Sequence, residues 1–508
     1  MKKFSYKILM LTVIGLAVFS YSCNKSKLDL LPRSPTEAVY FSDEGEFTRS
    51  VLGIYAKMSD LYGRVDVNGS FGPDATLMPI YFLPGDDITT NRSGEEFEIF
   101  SSLQPSSGRV NTFYRTIYQL IARANVVLEK IGTVKPGLYT TANLKSYHEG
   151  EALFLRAFGH FYLWNYYGTA PINIARVTTT GQFTPSGTSG TQLLDQAIAD
   201  FSKAATLLPA SWNAANRGRV TKNSAYGFLG KSLVFKASAT KTIADYTAAI
   251  AAFNNISGLI LVPKFDDNFA PDTENNSESL FEFQASKAAV DNNVWLNNDF
   301  DNAIGNLTID WNYYTGRELY GNSKFFATPK FLTSFDAADP RRSLTLNTLD
   351  NAINKYVLRD GVVDGFKPAS INNYRILRLA DIKLLQAEAI LQSGGSTSSA
   401  IALVNEVRTR ARDMVPAGTF PANYSTAETN KTTIMNWIIK ERLIELGGEG
   451  QRWLDVRRWH MQGIITLDNA FFNSNVTTLS FQAPKSLVFP IPSSEIDVNP
   501  NIQQNPGY

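Results

Sequence analysis

The chain has 508 residues, 44% of them hydrophobic, 12% aromatic and 19% charged, which is enough apolar mass for a large globular core. Lys and Arg total 48 against 47 Asp and Glu, so no strong field draws the protein to nucleic acid or to an anionic membrane surface. Its single cysteine, Cys23, excludes an intramolecular disulfide and any cysteine-rich metal site.

That cysteine has a distinctive setting. Lys2, Lys3 and Lys7 lead into the apolar run Ile8 to Phe19, which ends in the small polar residues Ser20 and Ser22. This is the layout of a secretory signal peptide, and the run is well short of the ~20 apolar residues a bilayer crossing needs. A cysteine directly after a small residue there resembles a lipobox, whose cleavage leaves the cysteine as a lipid-modified N-terminus. Ser20 and Tyr21 stand where an aliphatic and a smaller residue are usual. Ordinary signal cleavage that leaves an incidental cysteine is the alternative. Acylation gives the lone thiol a role, since each buried CH₂ contributes about 0.8 kcal/mol of membrane affinity.

Helical periodicity dominates the first half. In Thr112 to Ile131, Phe113, Ile117, Leu120, Ala124, Leu128 and Ile131 share one face. Further helices are expected over Glu149 to Gly168, Leu193 to Leu208, Asn223 to Ala239 and Tyr246 to Ile256. Leu233 to Ile256 reads as a helical hairpin. A second hairpin runs from Tyr374, through the Gly/Ser turn Ser393 to Ser399, to Arg412, with Ala387, Ala389, Ala400 and Ala402 permitting close approach as in tetratricopeptide (TPR) pairs. The hairpins are scattered along the chain, which disfavours an uninterrupted solenoid.

Two long stretches, Gly63 to Gly108 and Asp266 to Leu346, are rich in Asn, Asp, Gly, Pro and aromatics. Within the second, "SLFEFQA" and "TIDWNYY" read as short strands or ordered loops. Thr178 to Thr191 has few apolar residues and reads as a flexible connection.

Most chemical motifs dissolve on inspection. "AYGFLGKS" (Ala225 to Ser232) nearly matches a phosphate-binding loop, but Phe228, Leu229 and Leu233 continue a helical face and no apolar strand precedes it. His148, His160 and His460 are isolated, without a ligand partner one helical turn away. Asp86 and Asp87 are paired carboxylates, yet adjacent residues rarely flank a sugar ring from both sides. "DDNF" and "NNDFDN" lack EF-hand spacing for calcium. The densest charged constellation, Lys440 to His460, could bind an acidic ligand or fix a helix end against a core, and the second use is favoured.

As an ordered set, several segments resemble the SusD/RagB-type nutrient-binding outer-membrane lipoproteins of Bacteroidota. They are "RAN" at Arg123, "EALFLRAFGHFYLWNYYGTAPI" at Glu151, "TKNSAYGFLGK" at Thr221, "DPRR" at Asp339 and "YRILRLADIKLLQAEAI" at Tyr374. "LVNEVRTRAR" at Leu403, "ERLIELGGEGQRWLDVRRW" at Glu441 and the terminal "LVFPIPSSEIDVNPNIQQNPGY" complete the set.

The resemblance implies a mainly α-helical protein, a TPR-like helical hairpin scaffold with long irregular or short-strand excursions that form a ligand-binding region. It divides the chain into a lipoprotein signal peptide (1–22), an N-terminal SusD-like region (23–225) and a C-terminal RagB/SusD region (226–508) that form one structural unit. It also implies a non-catalytic protein without cofactor or metal, anchored through Cys23. Such a protein captures oligosaccharide, or in the RagB branch peptide, for a SusC-type TonB-dependent transporter; a TPR-type protein-interaction scaffold is the further alternative. The basic "NKSKLD" after the cysteine departs from the acidic residues that surface-displayed members often carry there. Sugars present apolar C–H faces and many hydroxyls. The excursions therefore nominate Trp295, Trp311, Tyr313 and Tyr314 as platforms, with Tyr81, Asp87 and Arg92 as hydrogen-bonding partners.

Overall fold

A computed structural model describes residues 40–62, 76–91, 93–285, 308–309, 325–356, 369–370, 372–472 and 478–508. Its main helices are α1 (Glu44–Ala56), α2 (Gly108–Gly132), α3 (Leu144–Tyr166), α4 (Gln192–Leu207), α5 (Lys222–Thr240), α6 (Ile243–Phe253), α7 (Leu379–Gln392), α8 (Thr397–Asp413), α9 (Lys431–Leu446) and α10 (Arg452–Gln462). Capping side chains start half of them. Ser107 caps α2 by accepting the Val110 N–H at 3.3 Å, and Thr221 and Ser224 form a capping box at α5.

The apolar face expected on α2 is buried at Phe113, Ile117, Leu120, Ala124 and Ile131. Helix α3 differs, because every residue from Gly150 to Tyr166 is buried. A helix enclosed all round belongs to the middle of a core. Helices α2 to α6 pack in chain order, each against the next, and α6 then packs against α7, which pairs with α8 and α9. The hairpins are thus interrupted in sequence but continuous in space: the chain leaves after Phe253 and returns at Leu379 beside the helix it left.

The near-match to a phosphate loop lies inside α5, and Lys231 is buried with its ammonium 2.8 Å from Asp381. The histidines are structural. His148 bonds Tyr139 at 3.0 Å, the His460 Nδ1 accepts the Leu467 N–H at 3.0 Å, and burial pushes His148 and His160 down to about 3. Among the described residues no helix is long and apolar enough to cross a membrane.

Three short antiparallel pairs stand at the edge of the helices. They are β1 (Ile88–Thr90), β2 (Ser279–Phe283), β3 (Thr308–Ile309), β4 (Phe325–Ala327), β5 (Ala369–Ser370) and β6 (Tyr374–Arg378), paired β1 with β4, β2 with β6 and β3 with β5. "SLFEFQA" supplies β2, as its pattern predicts. "YRILR", expected to open a helix, is instead β6, in register with Phe283 at Tyr374 and Ser279 at Arg378. All five of its residues are buried, and the helix begins only where the Leu379 N–H reaches the Glu278 carbonyl at 2.8 Å. The connection expected to be flexible holds a capped turn, Thr180–Gln182, and is tied to the C-terminus by Asn499 and Asn501 through the carbonyls of Pro185 and Thr184.

Candidate functional site

The excursions leave the scaffold from one root. Their described ends are Tyr62 and Thr76, Ala285 and Phe325, and Tyr356 and Asn372. Tyr62 stacks on Tyr374 at 4.8 Å and on Tyr81 at 5.5 Å, lies 5.8 Å from Phe283, and Tyr374 in turn stacks on Tyr356 at 6.1 Å. Phe82 meets Phe325 at 5.3 Å. Each excursion therefore begins or ends on one aromatic stack, whose centroid spacings are those of favourable ring pairs.

The phenols in that stack are spent internally. The Tyr62 and Tyr162 hydroxyls share a 2.8 Å bond, and Tyr374 O–H donates to the Glu449 carbonyl at 2.7 Å. Burial raises all of them well above the ordinary tyrosine value, so they stay neutral. Gly450 closes the far side. Its φ is +69°, and a Cβ there would stand 2.5 Å from the Tyr374 hydroxyl and 3.0 Å from Tyr81 Cβ, so only glycine fits.

A polar knot binds two of the stems. Asn373 Oδ1 accepts the Ala285 N–H at 2.7 Å, its own N–H reaches Glu274 at 2.7 Å, and its amide donates to Glu282 at 2.9 Å. Burial pushes Glu274 up to about 8 despite nearby Arg375.

Beneath the root lies a ladder of buried charge. Glu441 and Glu445 on α9, with Glu449 one further turn along, face Arg341, Arg378, Arg408, Arg410 and Lys355. Arg341 reaches Glu441 at 2.6 Å and Glu445 at 2.8 Å; Arg378 reaches Glu445 at 2.6 Å, Glu449 at 2.8 Å and Glu278 at 2.8 Å. Arg408 pairs with Glu441, Arg410 with Glu278 and Glu445, Lys355 with Glu449, and Asp339 with Arg341. Five cations thus meet five carboxylates, the balance that buried charge requires. Asp86 is held separately by Arg452 and by Lys330 at 2.6 Å. Arg341, Arg378, Lys355 and Asp86 tie the excursion stems and β6 to the C-terminal helices, while Arg408 and Arg410 join α8 to α9, so the constellation read as structural in the sequence is the clamp that fixes the root.

The nominated residues separate into two groups. Tyr81 and Asp87 are buried, each 2% exposed. The Tyr81 hydroxyl donates to the Leu61 carbonyl at 3.3 Å, and the Asp87 carboxyl accepts the Gly448 N–H at 3.2 Å. Both brace the root from inside instead of facing a ligand, because partners remote in sequence enclose them. Trp295, Trp311, Tyr313, Tyr314, Arg92 and the lipidation candidate Cys23 lie outside the described residues. Sequence reasoning missed Asn373 and Glu274, whose importance rests on strand pairing and carries no local signal.

Two family models match: "SusD family" over residues 350–508 and "Starch-binding associating with outer membrane" over residues 87–233, together more than half of the chain. The chain is 25% identical to SusD-like protein P2 of Formosa agariphila, over 100% of this chain and 99% of the relative. It is 23% identical to a SusD-like protein of Bacteroides ovatus, over 89% and 82%. Among solved structures, a SusD homolog from Bacteroides thetaiotaomicron superposes with a TM-score of 0.75 at 21% identity, covering 93% of this chain and 99% of that one. A laminarin-binding SusD-like protein superposes with a TM-score of 0.71 at 21% identity, covering 92% and 100%. The two family models and the relatives matched over most of their length place the chain in the SusD/RagB family, whose solved members share its mainly helical fold.

Proposed function

We propose that the protein is a non-catalytic outer-membrane lipoprotein that captures oligosaccharides and delivers them to a SusC-type TonB-dependent transporter. Residues 1–22 are its signal peptide and Cys23 its lipid anchor, facing outward. Residues 23–225 and 226–508 act as one unit, a role supported by the Asp86 to Arg452 pair that spans them.

The observation that carries this function is the convergence of three excursions, the longest of them rich in aromatics from Trp295 to Tyr320, on one rigid root, within a family whose matched model is described as starch-binding and associated with the outer membrane. A rigid root lowers the entropy lost when the segments it carries take up a ligand. Trp295, Trp311, Tyr313 and Tyr314 serve as platforms for sugar faces, and Arg92 as a hydrogen-bonding partner. The laminarin-binding neighbour supports a glycan as ligand. Asp86 and Asp87 do not supply a hydrolytic pair: Asp86 is neutralised by Arg452 and Lys330, and Asp87 points at the Gly448 backbone.

Calorimetry of the mature protein against panels of oligosaccharides and peptides tests the proposal. A glycan is expected to bind and to be recovered uncleaved. Binding confined to peptides would transfer the role to peptide capture, and hydrolysis of any glycan would overturn it. Co-purification with a large β-barrel is the expected sign of the transporter, and its absence would favour a free TPR-type scaffold.

A further inference from the structure

We propose that the cleft between the α4–α5 connection and the start of β2 is a separate saccharide subsite, taking a single sugar residue that bears a carboxylate. The assignment rests on the glycan-capturing role proposed above and adds a place and a chemistry to it. The cleft encloses about 240 Å³ and includes Trp212, Arg217, Asn275, Ser279 and Phe281 in its lining. That is below the roughly 300 to 1,000 Å³ of sites for drug-sized ligands, and suits one pyranose ring.

Its aromatic wall is already fixed. Trp212 is half-buried; its Nε1–H donates to the Val220 carbonyl at 2.9 Å, and the Arg219 guanidinium lies 4.1 Å from its ring centroid. Arg219 is itself tied to Glu151 at 2.7 Å. The indole therefore loses little freedom when a sugar C–H face meets it.

The polar side of the cleft selects charge. Among the described residues no carboxylate lines it. Arg217 is exposed, and its Nη2 donates to the Glu274 and Asn275 carbonyls at 2.9 Å each, which fixes the guanidinium plane. Its Nε and Nη1 make no hydrogen bond among the described residues, so each can donate a single charge-assisted hydrogen bond to an anionic group while Nη2 holds the loop. Burial pushes the neighbouring acid, Glu274, up to about 8, which weakens the compensation it offers Arg217.

The cleft also adjoins the excursion root. Gly218, at φ +94°, packs so tightly that a Cβ would stand 2.4 Å from the Gln284 carboxamide, and Gln284 bonds Asn373 in the polar knot. Strand β2 runs from Ser279 in the cleft to Phe283 at the root, about 13 Å by its rise per residue.

Saturation-transfer NMR of the mature protein with D-glucuronate and with D-glucose tests the subsite. Glucuronate is expected to bind measurably more tightly than glucose. Its affinity should fall about tenfold in Trp212→Ala and in Arg217→Glu. Arg217 is exposed, so Arg217→Glu reports on the cleft even if Trp212→Ala unsettles Arg219. Equal binding of the two sugars, or glucuronate binding indifferent to both cleft variants, overturns the subsite. If oligosaccharide still binds through Trp311 in that case, the capture role stands without the cleft; if no saccharide binds at all, both fall.

Discussion

Arg452 donates through Nη2 to Asp86 Oδ2 at 3.1 Å, joining side chains 366 positions apart. Both are buried, and the pair ties the stem of the first excursion to the start of α10. Removing Arg452 leaves the buried Asp86 carboxylate with Lys330 as its remaining cation. Arg452→Met is expected to destabilise the protein by about 3–5 kcal/mol, read as a lower urea midpoint at unchanged slope. The double variant Arg452→Met with Asp86→Leu should regain part of that loss, because the only charge left without its partner is then Lys330, which is partly exposed. Equal losses in the single and double variants would show that the pair contributes no more than its packing.

Asp87 gives a pH dependence of definite sign. Burial first, and the neighbouring Asp86 charge second, push its carboxyl up to about 7, and its Oδ1 has no hydrogen-bond partner among the described residues. A folded-state value above the unfolded one means that the native state holds the proton more tightly. The associated stability is complete below about pH 4 and is lost as pH rises through about 7. Asp87→Asn keeps the shape and still offers an oxygen to the Gly448 N–H. The variant is expected to melt higher than the wild type at pH 8, by up to a few kcal/mol, with the advantage shrinking below pH 5. A thermal melt series over that range checks it, and a constant difference at all pH values would refute the titration.

Glu445 behaves in the opposite sense. Burial would raise it, but Arg410, Arg378 and Arg341 outweigh that and hold it well below the usual carboxylate range. Its stabilisation is present above the unfolded value near 4.3 and is lost as pH falls. Glu445→Gln is expected to lower stability at pH 7 by about 3–5 kcal/mol and to flatten the acid limb of the stability curve. Denaturant titrations at pH 7 and pH 4 measure both effects; an unchanged acid limb would mean that other carboxylates govern it.

How much of this was legible follows from where the determining partners lie. Helices α2 to α6 are local objects, and their three- and four-residue spacing announces them. Strand β6 is not local: "YRILR" fits a helical face as well as a strand, and its partner β2 lies far upstream, where only the folded chain brings Phe283 opposite Tyr374. The same cause hid the burial of Asp87, enclosed by Gly448 at 361 positions' distance. The Lys440 to His460 constellation carried its charges openly, but whether they faced ligand or core depended on Arg341, Arg378 and Lys355 arriving from other segments. Trp212 passed unnoticed because a tryptophan in a short polar loop has no pattern, and its cleft arises from the loop meeting β2.

Separating platform from brace is the sharpest test of the candidate site. Trp311→Ala is expected to weaken glycan affinity about tenfold or more, the loss typical of an aromatic anchor, with little change in melting temperature. Tyr81→Phe should do the reverse. It deletes a buried hydroxyl that donates to Leu61, lowering stability by about 1 kcal/mol while affinity stays unchanged. Calorimetry and thermal melts on both variants give the four numbers needed, and an affinity loss in Tyr81→Phe would bring that side chain back into the ligand site.

The tether makes a prediction that needs no ligand. Acylation of Cys23 would bury more than one alkyl chain at about 0.8 kcal/mol per CH₂, enough for stable attachment where one chain gives only reversible binding. Cys23→Ser removes the only thiol in the sequence, so a palmitate label followed through expression in the native host should vanish completely. The protein should move from the membrane fraction to the soluble fraction while its melting temperature is unchanged. Persistence in the membrane fraction after Cys23→Ser would assign attachment to the uncleaved apolar run Ile8 to Phe19 instead. Protease treatment of intact cells then distinguishes the two faces of the outer membrane: outward display predicts digestion of the wild type without lysis. Protection until lysis would place Cys23 on the inner leaflet, where the basic "NKSKLD" would replace the acidic residues of surface-displayed relatives.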